Sequence, residues 1–190
     1  MKFTAFKHWL KEEEKTQSKK TEYGCIMLYT TIPNWEHHLS IIDKADIYDD
    51  EFHDYGLEYT PHCTVLFGIN LMETEPSAVK QFMETFKPVE VMIDKISVFN
   101  NPEYDVVKYD VPVSAELRRY HELAKTKFPN TQSFPDYHPH MTISYVLPGT
   151  GKKYAQPVSP FKVKFDTAVY SFAAGNSSDK TRIKVKLESE

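Results

Sequence analysis

Cysteine is scarce. Cys25 and Cys63 are the only two in 190 residues, and they form neither a CxxC pair nor a disulfide framework. A reducing compartment suits such a chain. Long apolar runs are missing as well. The opening stretch MKFTAFKHWLKEEEKTQSKK holds no segment able to act as a signal peptide or to span a bilayer. A cytoplasmic protein with no membrane partner is therefore expected. Positive charge is not in excess: 23 Lys and Arg stand against 27 Asp and Glu, for a net charge of −4. Proteins that grip long nucleic acid through its phosphates are usually basic. A small nucleotide or a short RNA end is the better-matched anionic ligand, and long nucleic acid is not expected as a partner. There is no low-complexity tract and no repeat of 20–50 residues. HExxH, or any similar ligand spacing on one element, is absent too. A metal site would have to gather His62, His138, His140 and Asp136 from separate places, and none is expected.

What is present describes one ordinary globular unit. Hydrophobic residues make up 41% and charged residues 26%, which excludes a wholly disordered chain. Aromatics are plentiful, with 12 Tyr and 12 Phe, more than a core alone requires and suited to stacking on flat ligands. Residues 1–20 are expected to be an N-terminal extension, a short helix with Phe3, Phe6, Trp9 and Leu10 along one side. Residues 21–190 are expected to be a single domain.

Periodicity and punctuation divide that domain. Strands are predicted at 22–32, 57–69, 88–99, 104–111, 138–147, 161–172 and 182–188. The last has Lys and Arg on one side, as an edge strand should. Helices are predicted over 35–48, opened by Asn34, over 75–86, and after Ser114, where Leu117, Tyr120, Leu123 and Ala124 recur at helical spacing. Strands and helices in this order give an α+β domain with two similar lobes.

One phrase occurs twice. The chain reads PHCTVLFG from Pro61 and PHMTISYV from Pro139, 78 residues apart. Chance supplies about 0.6 His-x-Thr in a chain of this composition, and about 0.1 once apolar neighbours are required. Two copies are therefore not an accident of composition. In a strand, residues i and i+2 share a side. His62 and Thr64 then face one way, as do His140 and Thr142, while Cys63, Val65, Met141 and Ile143 face the core. Side by side, the two strands would present two imidazoles and two hydroxyls to one cleft.

Such a cleft suits a phosphodiester. One neutral imidazole takes a proton from an attacking hydroxyl, and the other, protonated, gives one to the leaving oxygen. The threonine hydroxyls donate to the non-bridging oxygens as charge develops. No cofactor is required. The sequence does not say which histidine is base and which is acid.

HCTV at 62–65 and HMTI at 140–143 resemble the paired His-Φ-Thr/Ser-Φ signature of the two-histidine (2H) phosphoesterase superfamily. The resemblance covers residues 21–190. It implies a bilobal α+β fold, two antiparallel sheets with flanking helices around a central cleft, and His62, Thr64, His140 and Thr142 as catalytic residues. Among the members, phage anti-CBASS nucleases, which open the cyclic nucleotides of bacterial antiviral signalling, are the nearest in overall look. LigT-like RNA cyclic phosphodiesterases come next. The first branch implies a cyclic di- or trinucleotide as partner and, for a phage-encoded chain, the cytoplasm of a bacterial host.

Tyr23, Tyr137, His138 and Tyr145 lie near the two phrases and are taken as substrate-binding, with tyrosines stacking bases. His138 has other readings, as a third catalytic group, a metal ligand or a loop residue that fixes its neighbour. Tyr29 and Trp35 fit core packing better. A module that binds a nucleotide without cleaving it is the non-enzymatic alternative, although binding alone needs no pair of proton carriers.

Overall fold

The computed structural model describes residues 23–49, 55–132, 136–172 and 182–189. The helix expected over 1–20 lies outside the described residues. Eight strands and three helices are described: β1 (Tyr23–Tyr29), α1 (Trp35–Leu39), β2 (His62–Asn70), α2 (Pro76–Met83), β3 (Val89–Asn100), β4 (Asp105–Asp110), α3 (Ala115–Lys127), β5 (His140–Val146), β6 (Gln156–Phe165), β7 (Thr167–Ser171) and β8 (Arg182–Lys186). They form two four-stranded sheets, ordered β2-β1-β7-β8 and β5-β4-β3-β6, and every pairing is antiparallel. The α+β class and the two sheets agree with the sequence. Among the described residues, no helix is long and apolar enough to cross a membrane.

Each element follows from local chemistry. Helix α2 opens with Pro76 in its first turn and buries Val79, Phe82 and Met83. Helix α3 starts where the Ser114 side chain accepts a hydrogen bond from the Leu117 N–H. Its inner face is Leu117, Tyr120, His121 and Ala124. In β2, Cys63, Val65, Leu66 and Ile69 are buried, and in β5, Met141 and Ile143 are. These side chains join one continuous core with α2, α3 and the inner faces of both sheets.

Two expectations need correction. The segment 35–48 is not one helix. It is the five-residue α1 followed by a 3-10 turn at Lys44–Asp46. Asn34 takes a left-handed conformation, φ 57°, and makes no side-chain cap. The turn is fixed from outside instead, because Asp46 accepts from the Tyr154 hydroxyl and pairs with Lys153. The segment 161–172 is not one strand either. Asp166 separates β6 from β7, and the two belong to different sheets. Its N–H donates to the Tyr29 carbonyl, its carbonyl accepts from Leu187 N–H, and its carboxylate pairs with Lys186. Strand β6 also begins earlier than expected and contains Pro157 and Pro160, which an edge strand tolerates.

The topology places the site. Strands β2 and β5 are each the outer strand of their sheet, and the two are in contact where the sheets meet. The two copies of the phrase lie on these strands.

Candidate active site

The proline before each histidine has a visible consequence. A residue preceding proline is held extended. Thr60 and His138 occupy those positions, and their carbonyls reach the ring two residues on. His62 Nδ1 lies 2.8 Å from the Thr60 carbonyl, and His140 Nδ1 lies 2.8 Å from the His138 carbonyl. A carbonyl only accepts, so in both rings Nδ1 carries the hydrogen. The lone pair of the neutral imidazole is then on Nε2, the atom directed away from the anchor. The phrase thus fixes both tautomers in the same way.

An aromatic ring supports each imidazole. Tyr29 on β1 packs against His62 at 5.4 Å between centroids, and Phe99 on β3 meets His140 edge-on at 5.0 Å. Strand register confirms the shared faces. His62 pairs with Tyr29 and Thr64 with Met27, while His140 pairs with Asp110 and Thr142 with Lys108. Directly paired residues point to the same side of a sheet.

The echo continues beyond the four-residue motif. Register shifts occur just after each threonine, so Val65 in β2 and Ile143 in β5 are the extra residues of β-bulges. Each bulge resets the alternation by one position. As a result Phe67 returns to the face of Thr64, and Tyr145 returns to the face of Thr142. Both are aromatic, and both stand five residues after the motif histidine. Phe67 is 60% exposed on that face.

At the bulge in β2, two consecutive carbonyls accept hydrogen bonds from side chains. Tyr137 donates its hydroxyl to the Thr64 carbonyl at 3.0 Å, and His121 donates Nδ1–H to the Val65 carbonyl at 2.7 Å. The two donor rings stack at 4.1 Å and 8°. Tyr137 belongs to the loop that leads into β5, so this pair ties the first motif strand to the approach of the second.

Electrostatics distinguish the histidines. Burial pushes the His140 pKa below its ordinary value, and the charges of Lys108 and His62 act in the same direction. The hydrogen bond to the His138 carbonyl and the charge of Asp110 oppose the shift without reversing it. Lys108 is only 4% exposed. Its ammonium bonds Asp110 at 2.5 Å and Ser97 Oγ at 2.7 Å, and lies 4.0 Å from the Phe99 ring centroid. Cys25 and Cys63 are free thiols, each pushed up to about 12 by burial, so neither is a ready nucleophile near neutral pH.

The other residues singled out from the sequence fare differently. Tyr23 pairs with Asn70 at the far end of β1, six residues from Tyr29. At about 3.3 Å per residue that is about 20 Å along the strand from His62. The structure does not bring Tyr23 to the histidines; Tyr29, read as core, is the β1 residue beside them. Tyr137 is close, but its hydroxyl is engaged by the Thr64 carbonyl, and burial pushes its phenol well above the usual range. The His138 side chain is exposed, and its carbonyl is the part that touches the site. Tyr145 shares the His140 face and packs on Tyr55 at 4.9 Å and Tyr104 at 5.4 Å. Among the described residues, no three or more His, Cys, Asp or Glu side chains gather where they could hold a metal ion. Phe67, Phe99, Lys108, Asp110 and His121 were not singled out by sequence. Only Phe67 left a signal, the aromatic matched by Tyr145 in the second copy.

Known proteins resemble this chain in sequence and in fold. A sequence model of the 2'-5' RNA ligase superfamily matches residues 60–167, a span that includes both copies of the phrase. A protein of Shouchella clausii (strain KSM-K16) named "Putative phosphoesterase ABC1741" is 26% identical over 111 residues. That match covers 56% of this chain and 64% of the relative's length. The crystal structure of E. coli LigT complexed with 3'-AMP superposes with a TM-score of 0.54 at 13% identity, over 88% of this chain and 95% of that one. A likeness at that identity speaks for the fold. With more than half of its length matched, including both histidine motifs, the chain belongs to the 2'-5' RNA ligase superfamily, within the two-histidine phosphoesterases.

Proposed function

We propose that the protein is a metal-independent phosphodiesterase that opens 3'–5' bonds of small cyclic oligonucleotides, the activity that would disarm bacterial cyclic-nucleotide signalling. The observation that carries the reading is the matched pair of anchored imidazoles, each with Nε2 as its reactive atom and a threonine on the same face. His140, whose pKa is lowered, meets the substrate neutral and accepts the proton of the 2'-hydroxyl. The 2'-oxygen bonds to phosphorus and the bond from phosphorus to the 5'-oxygen breaks. His62 acts as the general acid and gives a proton to that leaving oxygen. The products are a 2',3'-cyclic phosphate end and a free 5'-hydroxyl. Water then opens the cyclic phosphate with the two proton-transfer roles exchanged. Thr64 and Thr142 donate to the non-bridging oxygens throughout.

The size of the ligand is argued from the walls of the cleft. Phe67 on one lobe and Phe99, 38% exposed, on the other can each stack a base with little regard to its identity. A net charge of −4 suits a compact anion better than a long strand.

A second reading is a LigT-like phosphodiesterase acting on 2',3'-cyclic phosphate ends of RNA. It is favoured by the superfamily match and by the resemblance to LigT, which was crystallised with the nucleoside monophosphate 3'-AMP. One experiment separates the readings. The protein is incubated in chelator with 3',3'-linked cyclic GMP–AMP, its 2'-deoxy version, a cyclic dinucleotide with only 2'–5' bonds, and a linear RNA ending in a 2',3'-cyclic phosphate. Products are identified by mass. Cleavage of the first alone supports the proposal, and rapid cleavage of the deoxy ligand refutes 2'-hydroxyl attack. Preference for the RNA end moves the protein to the second reading. Recovery of intact bound ligand after denaturation makes it a sequestering module.

A further inference from the structure

The two copies of the phrase look equivalent in sequence, yet their neighbours across the ladder are not. The β1 partners of His62 and Thr64 are Tyr29 and Met27, which carry no charge at neutral pH. The β4 partners of His140 and Thr142 are Asp110 and Lys108. These two form an ion pair at 2.5 Å, with Lys108 almost fully buried. Ser97 on β3 donates to Asp110 and accepts from Lys108, which closes a three-membered set. The ring of Phe99 is shared, since Lys108 lies over its face and His140 meets it edge-on.

We infer that Lys108 and Asp110 are positioning residues, a charge couple with a buried ammonium and a half-exposed carboxylate, that sets the protonation state of His140 and so breaks the symmetry between the two catalytic imidazoles. Lys108 is held away from substrate in this arrangement. The ammonium is occupied by a carboxylate, a hydroxyl and an aromatic face, and lies beneath Phe99. Its effect on His140 is therefore electrostatic. A fixed cation disfavours the imidazolium, and a carboxylate favours it. Lys108 keeps His140 neutral and able to accept a proton. Asp110 limits the shift, so that the imidazolium formed in the first step is still accessible. Burial works against ionisation of Asp110, but the hydrogen bonds from Lys108 and Ser97, with the charges of Lys108 and Lys95, outweigh it and lower its pKa, so the carboxylate stays ionised.

Among the described residues, the titratable and charged groups around His140 are few. Lys108 and Asp110 face it from β4, His62 acts from β2, and His138 precedes it on its own chain. Lys95 on β3 lies 3.8 Å from Asp110 and adds a more distant positive charge. Among the described residues, only the β4 couple is both charged and on the ladder rungs of the motif, and its ammonium is buried.

The inference rests on the proposed acid–base chemistry, but its test does not need a substrate. The His140 ring is titrated by NMR in the folded protein and in Lys108→Met, Lys108→Arg and Asp110→Asn. Lys108→Met should move the His140 midpoint to higher pH. Asp110→Asn should move it to lower pH, and Lys108→Arg should leave it near the original value. The acid limb of the kcat/KM profile should follow the same order. A midpoint unmoved in both Lys108→Met and Asp110→Asn would overturn the inference, as would Lys108→Arg behaving like Lys108→Met. If the NMR midpoints shift as expected while no ligand is cleaved, the couple stands and the enzymatic reading falls.

Discussion

Replacing Tyr137 with Phe removes one atom and isolates one question. The phenyl ring keeps the face-to-face stack on His121, so buried area and shape are preserved. What is lost is the hydrogen bond from the hydroxyl to the Thr64 carbonyl. That carbonyl lies at a bulge, and the Cys63 thiol at 3.8 Å is only a weak second donor to it. A part-buried acceptor left with so weak a partner costs up to about 1–3 kcal/mol. For a chain of this size each kcal/mol lowers the midpoint of thermal unfolding by about 2–4 °C. A fall of several degrees is therefore expected, with KM nearly unchanged and a smaller loss in kcat, because Thr64 and His62 sit on the loosened strand. Thermal unfolding by circular dichroism and steady-state kinetics well below the transition read the two effects separately. A double cycle with His121→Phe, which removes the donor to the Val65 carbonyl, should show coupling of about 0.5–3 kcal/mol, since the rings are in contact. An unchanged midpoint combined with a raised KM would refute this reasoning and return the hydroxyl to the substrate.

Other outcomes follow from the same geometry. His62→Ala and His140→Ala should each lower the rate by about 10²–10⁴ without unfolding the protein, and a single variant with near-normal turnover would end the two-histidine scheme. Thr64→Val and Thr142→Val should each cost about 2–4 kcal/mol of transition-state stabilisation, while the Ser variants retain much of the activity; equal activity of Val and Ser would leave these residues with packing alone. Phe67→Ala should leave stability almost untouched, because the ring is 60% exposed, and weaken ligand binding by about 1–3 kcal/mol in titration calorimetry. Activity should rise as pH climbs through the His140 pKa, and because burial first and Lys108 after it lower that pKa, the rise should be complete at a lower pH than for a solvent-exposed histidine; a kcat/KM profile measures it.

The motif strands were legible because their alternation, His out and Cys63 or Met141 in, is a local property that survives any tertiary context. Helix α3 was legible for the same reason, since Ser114 and the spacing of Leu117, Tyr120 and Ala124 are written within four turns. The split at Asp166 was not, because the residues on both sides alternate without a break. Its cause is a set of contacts with Tyr29, Lys186 and Leu187, two of which come from distant sheet neighbours. The bulges at Val65 and Ile143 were hidden because neither is a glycine, so nothing marks the extra residue. They explain why Tyr145 faces the site after an odd number of steps. The Lys108–Asp110 couple was unreadable in YDVVKYDV, where both look like the solvated side of a strand. The burial of Lys108 depends on Phe99 from β3 and on the approach of β5.

The order of strands in the first sheet carries a consequence for the making of the protein. Strand β1 lies between β2, which follows it closely in the chain, and β7, which begins at Thr167. Until the segment 167–186 leaves the ribosome, His62 sits on a two-stranded ribbon, and a ribbon of that kind is marginal in water. The second sheet, by contrast, takes all four strands from the continuous stretch 89–165. The lobe of His140 can therefore be assembled during synthesis while the lobe of His62 waits. A nascent chain that has emerged from the ribosome only as far as residue 166 should carry one finished half of the cleft, and the other half should form only when β7 inserts beside β1.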